Sequence, residues 1–407
     1  MVADMGIRTR MTVIAAAVLT TAPFAQAGGP LAVRSNGLPY VWSTAGEIQY
    51  RTDNGPLSAT VNEAAIRTRI IGMFDVWENV ATANIGYNRA GFINPVGAFG
   101  AGDVDTAAEY AAVEQDCSNG NQNPVVYDDD ATIFQDLGVD ETSVIGFAGP
   151  CALSASNLLS GQVVMNGLFQ DGVATPVQDI SVASFDAAII HEIGHFSGLD
   201  HSQINVNCLN SCPGDDFAGL PTMFPFLLIS TQNTLSVDDI AWISRLYPQA
   251  TGGTTFAGTH GTISGVVFFS DGESHAQAVN VIARRVDTGA NEDRTMAVSV
   301  VSGYKFRPFH GNPITGATAS QFGSGAPGDI GLFEIPVPAG SYTVEVESVD
   351  AQFTEGSSVG PYQIAMPGTA PAPIGPINVT AGSTSSGNNV TLIGTPPRFD
   401  QFEGPGP

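Results

Sequence analysis

The chain has 407 residues, more than a single core usually absorbs, so two folded units are expected. Gly 47 and Pro 26 favour short strands and many turns over a helical bundle. Lys+Arg 14 against Asp+Glu 39 leaves a formal charge of -25, which excludes nucleic acid and anionic membrane as partners, since both require a cationic surface.

Arg8 and Arg10 precede an apolar run from Met11 to Phe24, and Ala25-Gln26-Ala27 places small residues where a signal peptidase reads. Residues 1–27 are therefore expected to be a secretory signal peptide, with Gly28 the first mature residue. No later run is long and apolar enough for a transmembrane segment. A secreted, extracellular, monomeric protein is the expectation.

Glu47 to Arg51 reads as a strand. From Asn62 to Ala81, Ile66, Ile70, Met73, Phe74, Trp77 and Val80 recur at three- and four-residue spacing, the signature of an amphipathic helix. Strands are expected at Asn84 to Tyr87, Val125 to Asp128, Ser143 to Phe147 and Gln162 to Met165. The Gly- and Asp-bearing stretch from Asn88 to Asn123 reads as a long surface loop. A second helix is expected over Val182 to Gly198, and a third over Ser236 to Tyr247, where Ser236 and Asp239 have capping-box spacing. The fold class that results is α/β for residues 28–249, a mixed twisted sheet with long helices.

Residues 250–260 are rich in Gly and Thr and read as a linker. Beyond it the pattern changes to strands at Thr262 to Phe269, Ala278 to Val286, Met296 to Val301, Gly331 to Ile335, Ser341 to Val349 and Val390 to Ile393. An all-β sandwich over residues 261–395 is expected, then a Pro/Gly-rich tail at 396–407.

Four cysteines, Cys117, Cys151, Cys208 and Cys212, allow three disulfide connectivities. Cys208 with Cys212 is favoured because the two are close in sequence, and Cys117 with Cys151 is then left over. The acidic stretches Asp103 to Asp105 and Asp128-Asp129-Asp130 are either solvated loop residues or ligands of an irregular structural Ca2+ site, since neither has EF-hand spacing.

The chemistry lies in His191-Glu192-Ile193-Gly194-His195-Phe196-Ser197-Gly198-Leu199-Asp200-His201. Residues four apart on a helix are about 40° from one another around its axis, so His191 and His195 can share one metal. A third ligand at His201 requires the chain to turn back, and Gly198 can provide that turn. Three neutral imidazoles leave one tetrahedral position open, the requirement for a catalytic Zn2+. Water at such a site reaches a pKa near ~7, and Glu192 stands beside it as general base.

This motif resembles that of the metzincin metallopeptidases, and Ser202 after the third histidine resembles the matrixin branch. Pro221-Thr222-Met223-Phe224-Pro225 is similar to the family's Met-turn, with Met223 the apolar floor beneath the metal. Leu235 to Tyr247 resembles the helix that closes matrixin catalytic domains, where Asp238 or Asp239 would anchor the catalytic helix or a chain end. The resemblance covers roughly residues 42–248. It implies a zinc-dependent endopeptidase acting on protein or peptide substrates, and a substrate-pairing edge strand at Gln162 to Met165.

The chain departs from the family in three places. No cysteine precedes Cys117, so latency by a cysteine switch is not expected. No histidine precedes His191, so the family's second, structural zinc should be absent or rebuilt. Pro225 stands where sister families place a tyrosine near the metal. In the C-terminal half, Thr262 to Val267, Val279 to Ala283, Gly331 to Pro336 and Ala339 to Val344 resemble carboxypeptidase-regulatory-like sandwich domains, which implies a positional role. The alternative reading is a non-catalytic extracellular surface or adhesion protein that retains the scaffold; the intact Glu192 argues against it.

Overall fold

The computed structural model describes residues 14–15, 29–289, 294–306, 323–349 and 368–394. The expected signal peptide, apart from the backbone of Ile14–Ala15, and the tail at 396–407 lie outside the described residues. Strand β1 (Ile14–Ala15) pairs antiparallel with β7 (Phe226–Leu227).

The N-terminal half is an α/β unit built on a five-stranded sheet. Its strands are β2 (Ile48–Thr52), β3 (Tyr87–Phe92), β4 (Pro124–Asp128), β5 (Gly146–Leu153) and β6 (Leu158–Asn166), in the order β3-β2-β4-β6-β5. Pairings among β3, β2, β4 and β6 are parallel, and β5 runs antiparallel to β6. The stretch Gln162 to Met165 thus lies in an interior strand and is not the sheet edge. Among the described residues the edge on that side is β5, because a later strand, β6, inserts between it and β4.

Helix α1 (Glu63–Glu78) starts where the Asn62 side chain accepts from the Ala65 N–H, and it buries Ile66, Ile70, Phe74 and Trp77. Each such side chain contributes about 1.5–3 kcal/mol of burial, far more than helix propensity supplies. The region expected as one loop from Asn88 to Asn123 instead carries most of β3 and helix α2 (Ala107–Ser118). Thr106 caps α2 by accepting from the Glu109 N–H. Short helix α3 (Thr132–Asp136) follows β4, and α4 (Val182–Phe196) crosses against α1 and β5. Ser181 caps α4, and eleven of its residues from Phe185 onward are buried. A short helix α5 (Gly214–Ala218) precedes α6 (Val237–Leu246), whose Ser236 and Asp239 form the expected capping box.

Helix α7 (Phe256–Thr259) falls within the Gly/Thr-rich segment. The C-terminal half then forms two β-sheets. One contains β9 (Asn280–Arg285), β10 (Ala297–Val301), β12 (Gly340–Glu347) and β13 (Ile374–Val379) in the order β10-β9-β12-β13, all antiparallel. The other contains β8 (His260–Phe268), β11 (Leu332–Pro338), β14 (Thr384–Ser385) and β15 (Val390–Thr391). There β11 pairs antiparallel with β8, whereas β14 and β15 join it in parallel. Val281, Ala283, Val298, Val300, Val344 and Val346 of the first sheet share one apolar cluster with Ile263, Val267, Phe333 and Ile335 of the second. That cluster continues into the N-terminal half, through Trp242 beside Tyr304.

Two disulfides are present, Cys117–Cys151 and Cys208–Cys212. The first joins α2 to β5, and both point to an oxidising compartment. No helix among the described residues is long and apolar enough to cross a membrane.

Candidate metal centre

His191 and His195 occupy successive turns of α4, and His201 returns to them after the helix ends. The end is a Schellman motif: the Gly198 N–H donates to the His195 carbonyl at 2.9 Å and the Leu199 N–H to the Gly194 carbonyl at 3.0 Å. Gly198 has φ +91, a conformation that side chains with a Cβ rarely adopt. The residues that follow are held from the N-terminal side, where the Leu31 N–H donates to the Gly198 carbonyl and the Asp200 N–H to the Gly29 carbonyl.

The imidazoles converge through Nε2. His195 Nε2 lies 3.0 Å from His191 Nε2 and 3.2 Å from His201 Nε2. His191 Nδ1 is 2.7 Å from the Thr222 carbonyl and His195 Nδ1 is 2.9 Å from the Leu199 carbonyl. A carbonyl only accepts, so both rings carry their proton on Nδ1 and turn an Nε2 lone pair toward the centre. Lone pairs so close repel unless a cation lies between them. Zinc bound tetrahedrally at 2.0–2.1 Å from each nitrogen sets neighbouring ligands about 3.3 Å apart, close to the spacing observed.

Burial pushes the His191 imidazole down to about 4. Burial and the neighbouring imidazoles hold His195 and His201 well below their ordinary range. All three are therefore neutral near pH 7, the state a metal ligand requires. Among the described residues, they form the one group of three or more His, Cys, Asp or Glu side chains whose ligand atoms all lie within 4.8 Å of one another.

Glu192 is fully buried, and neither of its carboxylate oxygens has a hydrogen-bond partner among the described residues. Burial alone raises its carboxyl well above the usual range. The side chain packs against the start of the edge strand: a Cβ added to Gly146 of β5 would stand 3.0 Å from Glu192 Cγ. An isolated buried carboxylate is costly, and a cation and a water molecule beside it are what would compensate it. The three convergent Nε2 atoms and this orphaned carboxylate together fit a metal.

Met223 lies against α4 between the two helical histidines, since a Cβ on Gly194 would come within 2.2 Å of Met223 Sδ. The turn that carries it is clamped by Asp239, which accepts from the N–H groups of Thr222 at 2.9 Å, Met223 at 3.0 Å and Ser236 at 2.7 Å. The Ser202 N–H donates to the Met223 carbonyl at 2.7 Å, which ties the residue after His201 to the same turn. Asp239, the carbonyl of Thr222 and that of Leu199 thus orient the histidines and the turn beneath them. Capping-box spacing marked Asp239 for the helix, whereas its hold on the Met223 turn and the two backbone acceptors leave no local mark in a sequence.

The acidic stretches do not gather in the same way. Asp53 takes four backbone N–H groups, from Asn54, Gly55, Val104 and Tyr127, and stands beside Asp103. Asp128 accepts from the Phe134 N–H. No family model matches the chain, and no curated protein matches it.

Proposed function

We propose that the protein is a secreted zinc-dependent endopeptidase of metzincin type, with His191, His195 and His201 as ligands and Glu192 as the general base. The observation that carries this reading is the juxtaposition of three convergent Nε2 atoms with a buried carboxylate that has no hydrogen-bond partner among the described residues. A purely structural site has no use for that carboxylate, and closing it with a fourth protein ligand would be cheaper.

When bound, Zn2+ supplies Lewis-acid polarisation of a substrate carbonyl and acidifies water. Glu192 takes the proton from the attacking water at a carboxylate oxygen and delivers it to the departing amine nitrogen. The Nδ1–H groups of His191 and His195, donating to Thr222 and Leu199, keep the ligands oriented through that cycle. The open edge of β5 offers main-chain groups to an extended peptide, and such pairing tolerates many side chains.

The test is cleavage of a denatured protein by the purified chain, with and without a chelator. Activity should vanish on chelation and return with Zn2+. Glu192→Ala should abolish turnover while one zinc per chain remains bound. A mutant that stays active, or loses its metal together with its activity, assigns Glu192 a different role.

A further inference from the structure

Strands β9 and β10 are buried on both faces, and β12 beside them is partly so. Cross-strand register puts Asn280, Ile282 and Arg284 of β9 on one face with Ala297 and Ser299 of β10 and Glu345 and Glu347 of β12. The opposite face, with Val281, Ala283, Val298 and Val300, packs into the sandwich core. The polar face, which would meet water in a free-standing sandwich, meets the N-terminal half.

Its contacts concentrate on the residues that follow the third histidine. Asn280 Nδ2 donates to the Gln203 carbonyl at 2.8 Å. Glu347 Oε1 accepts from the Asn205 N–H at 2.8 Å and from Asn280 Nδ2 at 3.0 Å. Arg284 Nη2 donates to Asn205 Oδ1 at 2.6 Å, and Ile204 packs on Ile282 and Ala297. Asn205 has φ 61, so this segment bends through a left-handed residue whose side chain and N–H are both gripped by the sheet. A second contact holds α6: the Ser299 N–H donates to Asp238 Oδ1 at 2.8 Å and Trp242 Nε1 to the Ser299 carbonyl at 2.7 Å. The next residue on α6, Asp239, clamps the Met223 turn.

We infer that this face of the C-terminal sheet is a structural part of the metal centre, with Asn280, Arg284 and Glu347 as positioning residues that fix His201 through residues 203–206. The inference rests on the metal reading of the three histidines but not on peptide hydrolysis. Its physical basis is that outer hydrogen bonds set ligand direction, and their loss commonly costs about 10–100-fold in metal affinity. A sandwich acting only as a spacer or substrate-docking module would leave that affinity unchanged.

The experiment uses the full chain and reads Zn2+ affinity by competition with a chromophoric chelator, with the visible spectrum of the Co2+-loaded protein as a report on ligand geometry. Asn280→Ala and Glu347→Ala should weaken Zn2+ binding about tenfold or more and alter the Co2+ spectrum. Glu347→Gln keeps an acceptor for the Asn205 N–H and should largely restore both. Asn388→Ala, which removes side-chain hydrogen bonds to Ser264 and Ser385 in the opposite sheet, should change neither. If Glu347→Ala does not fold, Asn280→Ala decides. Unchanged affinity and spectrum in Asn280→Ala, or equal changes in Asn388→Ala, would overturn the inference. Failure of the unsubstituted chain to bind Zn2+ or Co2+ would overturn the metal reading, and this inference with it.

Discussion

The histidine-bearing helix α4 and the contact between the two halves both bury carboxylates, yet they treat them in opposite ways. At the contact, Glu347 accepts from Asn205, Val206 and Asn280, and Asp238 from Ser299. Asp239 takes three backbone N–H groups. On α4, Glu192 takes none among the described residues. Buried polar groups in folded proteins are nearly always paired, so a paired carboxylate speaks of architecture and an unpaired one of a ligand still to arrive. The comparison separates function from support among residues that share a chemical type and a depth of burial.

The largest expected effect breaks the pair apart. Glu192→Gln should cost about 10²–10⁴-fold in kcat for loss of the general base, with no loss of thermal stability, since no hydrogen bond of the described residues is lost with it. Asp239→Asn should do the reverse to stability. It sets an amide NH2 against backbone N–H donors, at about 1–3 kcal/mol, and should lower the unfolding midpoint. Parallel thermal melts and kinetics on the two variants decide it. Equal destabilisation by both would mean that Glu192 is also a structural group.

Two helix glycines sharpen the same contrast at smaller scale. A Cβ at Gly194 would stand 2.2 Å from Met223 Sδ, whereas one at Gly72 of α1 meets nothing within 4 Å. Gly194→Ala should lose about 1–3 kcal/mol by overpacking against a turn whose backbone is already clamped. Gly72→Ala should gain about 0.5–1 kcal/mol, the ordinary helix preference for alanine. Denaturant unfolding measures both.

The histidine cluster was legible because its geometry is local: a four-residue helical repeat and a glycine turn bring three imidazoles together without reference to the rest of the chain. Helices α1, α4 and α6 carried caps and apolar periods of the same local kind. Helix α2 was hidden inside a Gly- and Asp-bearing stretch, although Thr106 and Glu109 have capping spacing and Tyr110, Val113 and Cys117 lie on one buried face. The place of β6 inside the sheet could not be read from Gln162 to Met165, because strand order depends on which later strand inserts. Nor could the alternation along β9 reveal what covers Asn280, Ile282 and Arg284. Period two names a polar face but not its partner.

A further expected effect is a pH dependence seated in the contact between the halves. Burial, with Asp239 adding to it, pushes the Asp238 carboxyl up to about 8, against the Ser299 and Ser202 hydrogen bonds that pull it down. Burial raises Glu347 to about 7, opposed by the Arg284 guanidinium, Asn280 and the N–H groups of Asn205 and Val206. In the unfolded chain both titrate near the ordinary carboxylate range of about 4. Between those limits the folded chain holds protons that the unfolded chain has lost, so their stabilising contribution is complete at low pH and disappears as pH rises through about 7 to 8. The buried histidines act the other way, because the unfolded chain protonates them below about 6.5 while the folded chain does not. The decisive quantity is therefore the difference between the unsubstituted chain and Asp238→Asn, in which the histidine contribution cancels. From pH 6 to 8.5 the unsubstituted chain should lose stability relative to the variant, by at most about 1.4 kcal/mol per pH unit for one proton. Thermal midpoints at several pH values measure it. Parallel curves for the two proteins would mean that Asp238 is already ionised in the folded chain and that its contact with Ser299 is a charged one.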